Sequence, residues 1–495
     1  MTDCFAPIVS GLLQNDSCLN TSLRHAKVII GKHIMITAKH IDRLRRITGK
    51  ENVLASVEEM VAYSYDATNM WSHLPDVVVM PTNVEQISEI MKFASENDIP
   101  VTPRGGGTNV SGGSIPIKGG IVLCTTRMNR IIEINKTNLN ATVEPGVVLQ
   151  DFQAALAKEG LFFPPDPQSF AGCTMGGVVA ENSGGPSCLK YGVAKQYVLG
   201  MEVVLADGQI MKLGGLTPKN RTGYELMMLF TGSEGTLGFI SRITLRLLPA
   251  PKANKTIVAV FRDVAVAGET VTAIIASSVL PSKVEFVDNW TFEKFRGIIP
   301  DNILNSSQVI LLIQVDGLKQ TVEAEAGQVV DICNKTAREV RVAADEAEAE
   351  KYWAARRAHF SDISSRAHTI VNEDVCVPRD KIADFIRLSQ ESARHYDVPI
   401  SFAGHVGDGN FHPVVLTDSR DKEHYQRALK CVDEIIEIAL KLGGVLSGEH
   451  GIGLEKQRFL KKAMDPLAIE IMKKIKDVLD PKHILNPGKI WEEEG

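Results

Sequence analysis

The sequence predicts an α+β protein of more than one domain, and three observations lead there. The chain has 495 residues, more than the roughly 250–300 that one hydrophobic core supports. In the first half, short apolar runs end in glycine loops. After the Pro249-Ala-Pro251 break, strand-like and helix-like segments alternate, as in an α+β domain built on an antiparallel sheet.

Residues 1–34 scatter Asp3, Asn15 and Asp16 among Ser, Thr and Cys. They lack the basic start, apolar stretch and small-residue cleavage site of a secretory signal. Residues 1–40 are therefore expected to be an extension, with Met35 as a downstream start and Ile41–Ile47 as the first helix; a chain truncated at Met35 is expected to fold. A strand Val77–Met80, a turn at Pro81, a helix Val84–Asn97 and the run Ile99–Val101 form a strand–helix–strand unit that opens into the first glycine loop. Beyond the Pro249–Pro251 break the expected order is strand Thr256–Phe261, helix Val264–Ser278, strands Lys283–Val287 and Val309–Val315, and helix Thr321–Asn334. The helix Lys422–Leu442 carries the periodic apolar set Ala428, Cys431, Val432, Ile435, Ile438, Ala439 and Leu442. These boundaries divide the chain into 41–250, 251–480 and a tail 481–495.

Composition excludes several classes. A net charge of −6 lacks the basic excess that binding a phosphate backbone requires, so nucleic acid is not an expected partner. No apolar run reaches the roughly 20 residues of a membrane-crossing helix. The eight cysteines, at 4, 18, 124, 173, 188, 333, 376 and 431, form no Cys-x-x-Cys pair, which argues against a structural zinc site or an iron–sulfur cluster held by this chain. Their dispersion fits a reduced, cytoplasmic protein.

Glycine is the local signal. Between Arg104 and Gly238 lie 23 of the 40 glycines, about twice an even share. They cluster in Pro103-Arg-Gly-Gly-Gly-Thr-Asn109 with Ser111-Gly-Gly113, in Gly172-Cys-Thr-Met-Gly-Gly177, in Glu181-Asn-Ser-Gly-Gly185 and in Gly232-Ser-Glu-Gly-Thr-Leu-Gly238. Loops of this kind let backbone lie against a ligand and present successive N–H groups to phosphate oxygens. No Gly-x-x-x-x-Gly-Lys-[Ser/Thr] is present, and Gly105-x-Gly107-x-x-Val110 lacks the third glycine of the Rossmann fingerprint.

These clusters, with Pro145-Gly146 and Pro164-Pro-Asp166, resemble the FAD-binding domain of the vanillyl-alcohol-oxidase and para-cresol-methylhydroxylase superfamily. Gly404-His-Val-Gly-Asp-Gly-Asn-Phe-His412, Gly448-Glu-His-Gly-Ile-Gly453 and the tail His483-Ile-Leu-Asn-Pro-Gly-Lys489 resemble its FAD-linked D-2-hydroxyacid dehydrogenase branch, which includes D-lactate dehydrogenases and the catalytic subunit of glycolate oxidase. The resemblance implies a two-part FAD-binding domain of the para-cresol-methylhydroxylase type, an α+β cap domain for substrate, and a tail that returns to the flavin domain. It places Arg104, Gly105, Gly106, Gly107, Thr108, Asn109, Gly112 and Gly113 around the FAD pyrophosphate. Pro145, Gly146, Asp166, Thr174, Gly176, Gly177, Asn182 and Gly185 would lie along the ribityl chain and flavin ring, and Gly235, Thr236 and Ile240 near the adenosine. No histidine occurs between His73 and His359, so a histidyl flavin linkage within the glycine-rich region is impossible. A cysteinyl one through Cys124, Cys173 or Cys188 is formally open, and non-covalent FAD is expected.

His405 and His412 flank an Asp-Gly turn between apolar runs, so the chain is expected to fold back and bring both imidazoles to one side. Two imidazoles and a carboxylate make an open site for a catalytic divalent metal, and Glu449 can supply the carboxylate. The resemblance makes His405, His412 and Glu449 the metal ligands and His450 the general base; the ion is zinc, manganese or iron, which this donor set does not separate. The substrate carboxylate needs a cation, preferably an arginine fork; Arg356 of Trp353-Ala-Ala-Arg-Arg357 fits the family's Trp-x-x-Arg, with Arg357 as the runner-up. Phe360 and Asn372 stand where dicarboxylate-using relatives carry further polar groups, which disfavours a dicarboxylic substrate.

The implied reaction is oxidation of a small D-2-hydroxy acid, D-lactate or glycolate, with hydride passing to flavin N5. Electrons then leave to an external acceptor: an electron-transferring flavoprotein, an iron–sulfur subunit or a quinone. Oligomerisation, and attachment to a membrane through partner subunits, are left open. The alternatives are an oxygen-using oxidase of the same superfamily and a non-catalytic flavin-binding accessory subunit. Against the second, the chain has His405, His412, Glu449 and His450.

Overall fold

The computed structural model describes residues 36–68 and 70–492, so most of the expected extension 1–40, with Cys4 and Cys18, lies outside the described residues, while its last residues 38–40 already belong to the first helix. The first helix, Ala38–Thr48, begins three residues before the expected Ile41 because the Thr37 hydroxyl accepts the His40 N–H and caps it. Val77–Val79, helix Val84–Glu96 and Val101–Arg104 form the strand–helix–strand unit. Asn83 caps that helix by accepting the Gln86 N–H at 2.9 Å, and Ile87, Ile90, Met91 and Ala94 form its buried stripe. The two strands run parallel on either side of Ile121–Cys124, and Val53–Leu54 adds antiparallel at the far edge. The apolar continuity of these strands reflects burial on both faces.

A second sheet of five antiparallel strands follows, in the order Ile131–Asn135, Asn140–Val143, Phe239–Arg246, Val198–Val204 and Ile210–Gly214. The third sheet has eight antiparallel strands. Seven run in the order Glu339–Val342, Ala253–Phe261, Val309–Gly317, Lys283–Asp288, Ile400–Gly404, Asn410–Thr417 and Thr369–Asn372, and Val375–Cys376 also pairs with Asn410–Thr417. Helices Val264–Ala276, Lys319–Cys333, Ile382–Tyr396 and Lys422–Lys441 supply the largest apolar core against this sheet. Ala428, Cys431, Val432, Ile435, Ile438 and Ala439 are buried as their spacing predicts, whereas Leu442 is the C-cap residue and only partly buried. The fold class is thus the expected α+β arrangement, with an antiparallel sheet in the second half.

The sheets are tied together by polar contacts. Lys190 Nζ meets Asp316 Oδ1 at 2.6 Å, and Lys283 Nζ meets Asp166 Oδ2 at 2.7 Å. The C-terminal segment returns to the first sheet: Val101 donates to the Ile484 carbonyl and Asn486 N–H to the Val101 carbonyl, each at 2.7 Å. Among the described residues no helix is long and apolar enough to cross a membrane, and Cys124, Cys173, Cys188, Cys333, Cys376 and Cys431 are all free thiols.

Candidate active site

The strand Val101–Arg104 ends in the first glycine loop, and the loop opens onto a cavity of about 260 Å³. Its walls bring together residues far apart in the chain. Arg104, Gly105, Gly106, Gly107, Thr108 and Asn109 line it, with Gly113; so do Thr174, Gly176 and Gly177, and Gly235 and Ile240. At the other end Arg356, His412, Glu449 and His450 face the same space, with Phe360 and Asn372.

Glycine is required here by close approach. A Cβ on Gly106 would collide with the Gly172 carbonyl oxygen, so the two loops close only when one of them lacks a side chain. Gly106→Ala is expected to lose most of its bound FAD, whereas Gly215→Ala, where a Cβ meets nothing within 4 Å, keeps it; the ratio of flavin to protein absorbance after purification checks both.

Several expected cofactor residues stand behind the wall rather than on it. Pro145 accepts the Gly176 N–H, and Gly146 donates to the Met128 carbonyl. Gly112 packs against Leu454, and Gly185 lies against the Asp166 backbone. Asn182 accepts the Lys195 N–H, and the Thr236 hydroxyl donates to the Ser233 carbonyl. Asp166 is taken up by the Ser187 N–H and hydroxyl and by Lys283. The Arg104 guanidinium lies under Gly107, donating to Ser114 Oγ and the Ala62 carbonyl, so it braces the loop.

The second constellation is built by the hairpin Ile400–Gly404 and Asn410–Thr417, in which Ala403 pairs with His412. Its turn depends on Gly409, whose φ of +85° and whose position against the Val377 carbonyl both exclude a side chain. His405 opens the turn and His412 sits on the returning strand, as the Asp-Gly signal predicts. Glu449 Oε1 is 3.3 Å from His405 Nε2 and 3.3 Å from His412 Nε2. Donor atoms about 2.0–2.1 Å from a tetrahedral ion lie about 3.3 Å apart, so these three side chains fit a divalent metal. His405 Nδ1 meets Glu285 Oε1 at 2.6 Å, the carboxylate support that metal-bound histidines commonly have.

Asp374, His412 and His450 form another cluster with candidate ligand atoms within 4.8 Å of one another. Asp374, however, is saturated. Its Oδ1 accepts Asn410 Nδ2 at 2.8 Å, and its Oδ2 accepts the Ser447 hydroxyl and the backbone N–H groups of Glu449 and His450. Burial opposes its charge, but the nearby Lys456 ammonium and the hydrogen bond from Ser447 hold it ionised, well below the usual carboxylate range. Asp374 is thus the anchor of the Ser-Gly-Glu-His loop. The His450 ring stacks on His412 at 5.1 Å; burial dominates its environment and keeps it neutral, with a pKa of about 4.

Arg356 is 3% exposed, and its NH2 is 2.8 Å from Glu285 Oε2. The contact is Coulombic rather than an aligned hydrogen bond, since Arg356 Nε and NH2 have no hydrogen-bond partner. Those donors are available to a bound carboxylate. Arg357 instead points to solvent and pairs with Glu350. Glu285 therefore touches both Arg356 and His405, and sequence reasoning missed it. Its signal was a single acid inside the apolar run Lys283–Val287, a position that the sheet buries completely. Of the three cysteines considered for flavin attachment, only Cys173 lines the cavity. Burial pushes its thiol up to about 11, which suppresses the thiolate that such a linkage needs.

Residues 75–214 match the family described as FAD binding domain, and residues 250–490 match FAD linked oxidases, C-terminal domain. The glycolate oxidase subunit GlcD of Bacillus subtilis is 41% identical over 461 residues, covering 93% of this chain and 98% of that protein. The D-lactate dehydrogenase of Anaerostipes hadrus is 34% identical, covering 92% and 98%. Among solved structures, p-cresol methylhydroxylase with substrate bound superposes with a TM-score of 0.77 at 22% identity, covering 92% of this chain and 96% of that one. The 4-ethylphenol oxidase of Gulosibacter chungangensis gives 0.74 at 21%, covering 92% and 98%. At these identities the superpositions establish the fold.

Proposed function

The chain belongs to the family of FAD-linked 2-hydroxyacid oxidoreductases that contains the glycolate oxidase GlcD subunits and D-lactate dehydrogenases, and on that footing we propose how its residues divide the reaction. The chain is an FAD-dependent dehydrogenase that oxidises a small D-2-hydroxy acid, D-lactate or glycolate, to the 2-oxo acid. One observation supports the assignment of roles: His405, His412 and Glu449 converge beside His450 and Arg356. They do so at the far end of the cavity that begins at the glycine loops.

Bound FAD supplies the two-electron acceptor. Residues 41–250 hold it, 251–480 carry the substrate end, and 481–495 return to the first sheet. The glycine loops contribute backbone N–H groups and close approach, and buried Thr174 Oγ1 has no partner within the protein, so it is free to meet the cofactor. FAD is held without a covalent bond, so acid precipitation leaves a yellow supernatant over a colourless pellet. His405, His412 and Glu449 hold a divalent ion, zinc, manganese or iron, which supplies Lewis acidity at the substrate hydroxyl. Arg356 receives the carboxylate through its unpartnered donors and fixes which face of the α-carbon meets the flavin. The hydroxyl proton passes to a ring nitrogen of His450, whose neutral imidazole is oriented by the Asp374 anchor and by His412.

Electrons leave to a separate acceptor chain or a quinone, a reading supported by the word subunit in the names of the GlcD relatives. Anaerobic mixing tests this function. D-lactate or glycolate is expected to bleach the flavin, L-lactate to leave it yellow, and readmitted air to restore colour only slowly. Fast recovery in air would favour an oxygen-using oxidase.

A further inference from the structure

The substrate end of the cavity holds two polar atoms that the reaction described above does not use. His359 is 3% exposed and lines the cavity one turn beyond Arg356. Its Nδ1 shares a 2.5 Å hydrogen bond with Thr291 Oγ1, and its Nε2, buried, has no partner. Asn372 ends the strand that pairs with Asn410–Thr417, opposite Val414 and two positions from His412 along that strand. Its Oδ1 is likewise buried without a partner. Buried polar atoms are rarely left empty, because an unmade hydrogen bond leaves their desolvation uncompensated. Both residues line the same end of one cavity, beside His412, so both atoms are open to a ligand group there.

The chemistry of the pair narrows that group. Burial, reinforced by Arg356 and His412, drives the His359 pKa down to about 3, so the ring is uncharged. Thr291 is itself completely buried in the seven-residue 3-10 helix Asn289–Phe295, whose start is capped by Asp288, so the ring is fixed in place. Asn372 Oδ1 only accepts. A carboxylate placed here would meet the acceptor oxygen of Asn372 and an uncharged ring, with Arg356 already committed to the first carboxylate, and a methyl group would leave both atoms unmade. A hydroxyl satisfies both, donating to Asn372 Oδ1 while exchanging a hydrogen bond with His359 Nε2.

We propose that His359 Nε2 and Asn372 Oδ1 form a subsite for a hydroxyl on C3 of the substrate, which makes the preferred substrate class a short D-2-hydroxy acid carrying a second hydroxyl next to the reacting carbon. This rests on the function given above, with the carboxylate on Arg356 and the 2-hydroxyl between His412 and His450. Glycolate and D-lactate react without filling the subsite.

The test compares kcat/KM of the FAD-loaded enzyme for D-glycerate, D-lactate, glycolate and D-malate, which carry a hydroxymethyl, a methyl, a hydrogen and a carboxymethyl group on the reacting carbon. A hydrogen bond to a buried group discriminates against the analogue lacking it by roughly tenfold or more. D-glycerate is expected to exceed D-lactate by that factor and D-malate to be the poorest of the four. H359L brings the glycerate-to-lactate ratio to about one while leaving D-lactate within about twofold, and H359Q, which keeps a donor near the Nε2 position, retains most of the preference. T291V releases the ring and lowers the ratio partway; it carries the test if H359L does not fold. As a readout apart from turnover, 3-hydroxypyruvate perturbs the oxidised flavin spectrum at lower concentration than pyruvate, and this difference vanishes in H359L. Equal use of glycerate and lactate by the unmodified enzyme, or a ratio unchanged in H359L and T291V, overturns the subsite. Reduction by none of the four overturns the parent function as well.

Discussion

The His450→Asn enzyme is expected to purify yellow and to stay yellow under anaerobic D-lactate, with the rate of flavin reduction down roughly 10²–10⁴-fold, the usual contribution of a positioned base. The substitution is structurally mild. The loop is held through backbone N–H groups of Glu449 and His450 on Asp374, and those survive a change of side chain. The ring is not in the set that fits the metal, because Glu449 Oε1 lies between His405 and His412. FAD content and metal content should therefore match the parent enzyme, which separates a lost base from a collapsed site. A mutant that bleached within a few-fold of the parent rate would remove His450 from the role.

The second large effect is at Glu285. Its two oxygens face His405 Nδ1 at 2.6 Å and Arg356 NH2 at 2.8 Å, and its side chain is 1% exposed. Burial opposes its ionisation, but His405 and Arg356 more than offset that and hold the carboxyl below its ordinary pKa. Glu285→Ala leaves a buried guanidinium without its counter-ion. Breaking a buried pair in this way costs about 3–5 kcal/mol, to be read as the shift in denaturant midpoint multiplied by the slope. The same change removes the carboxylate that orients His405, for which a roughly 10–100-fold loss of metal affinity is expected. Glu285→Gln keeps an acceptor for His405 and should retain more metal affinity than Glu285→Ala. Equal metal affinity in all three proteins would show that Glu285 serves Arg356 alone.

The contrast between Gly106 and Glu285 explains how much was legible in the sequence. A glycine loop announces itself because few other residues can occupy it, and several such loops in one region compound the signal. The His405–His412 hairpin was legible because its turn is local, and Lys422–Lys441 because apolar periodicity needs no partner to be seen. Glu285, Asp374 and His359 are different. Each becomes meaningful only when a strand or loop from elsewhere arrives: Glu285 meets a histidine 120 residues on, Asp374 a loop more than 70 residues on, and His359 a threonine 68 residues back. A lone acid in a strand-like run reads locally as an imperfection in the pattern, whereas the sheet turns it into the link between Arg356 and His405. Likewise, the family likeness names Asp166, Asn182 and Pro145 for the cofactor, and only the packing shows that they also bond Ser187 and Lys283, the Lys195 N–H and the Gly176 N–H. A motif match carries no information about which of its members face inward.

The proposed reaction needs a divalent metal and a flavin to meet across one cavity. Its most direct test is anaerobic reduction by D-lactate in enzyme stripped of metal with a chelator and then reconstituted. The predicted result is one divalent ion per chain before stripping, full retention of FAD after it, loss of bleaching in the stripped protein, and recovery when zinc, manganese or ferrous iron is restored. Bleaching of the stripped, metal-free protein at the original rate would contradict it.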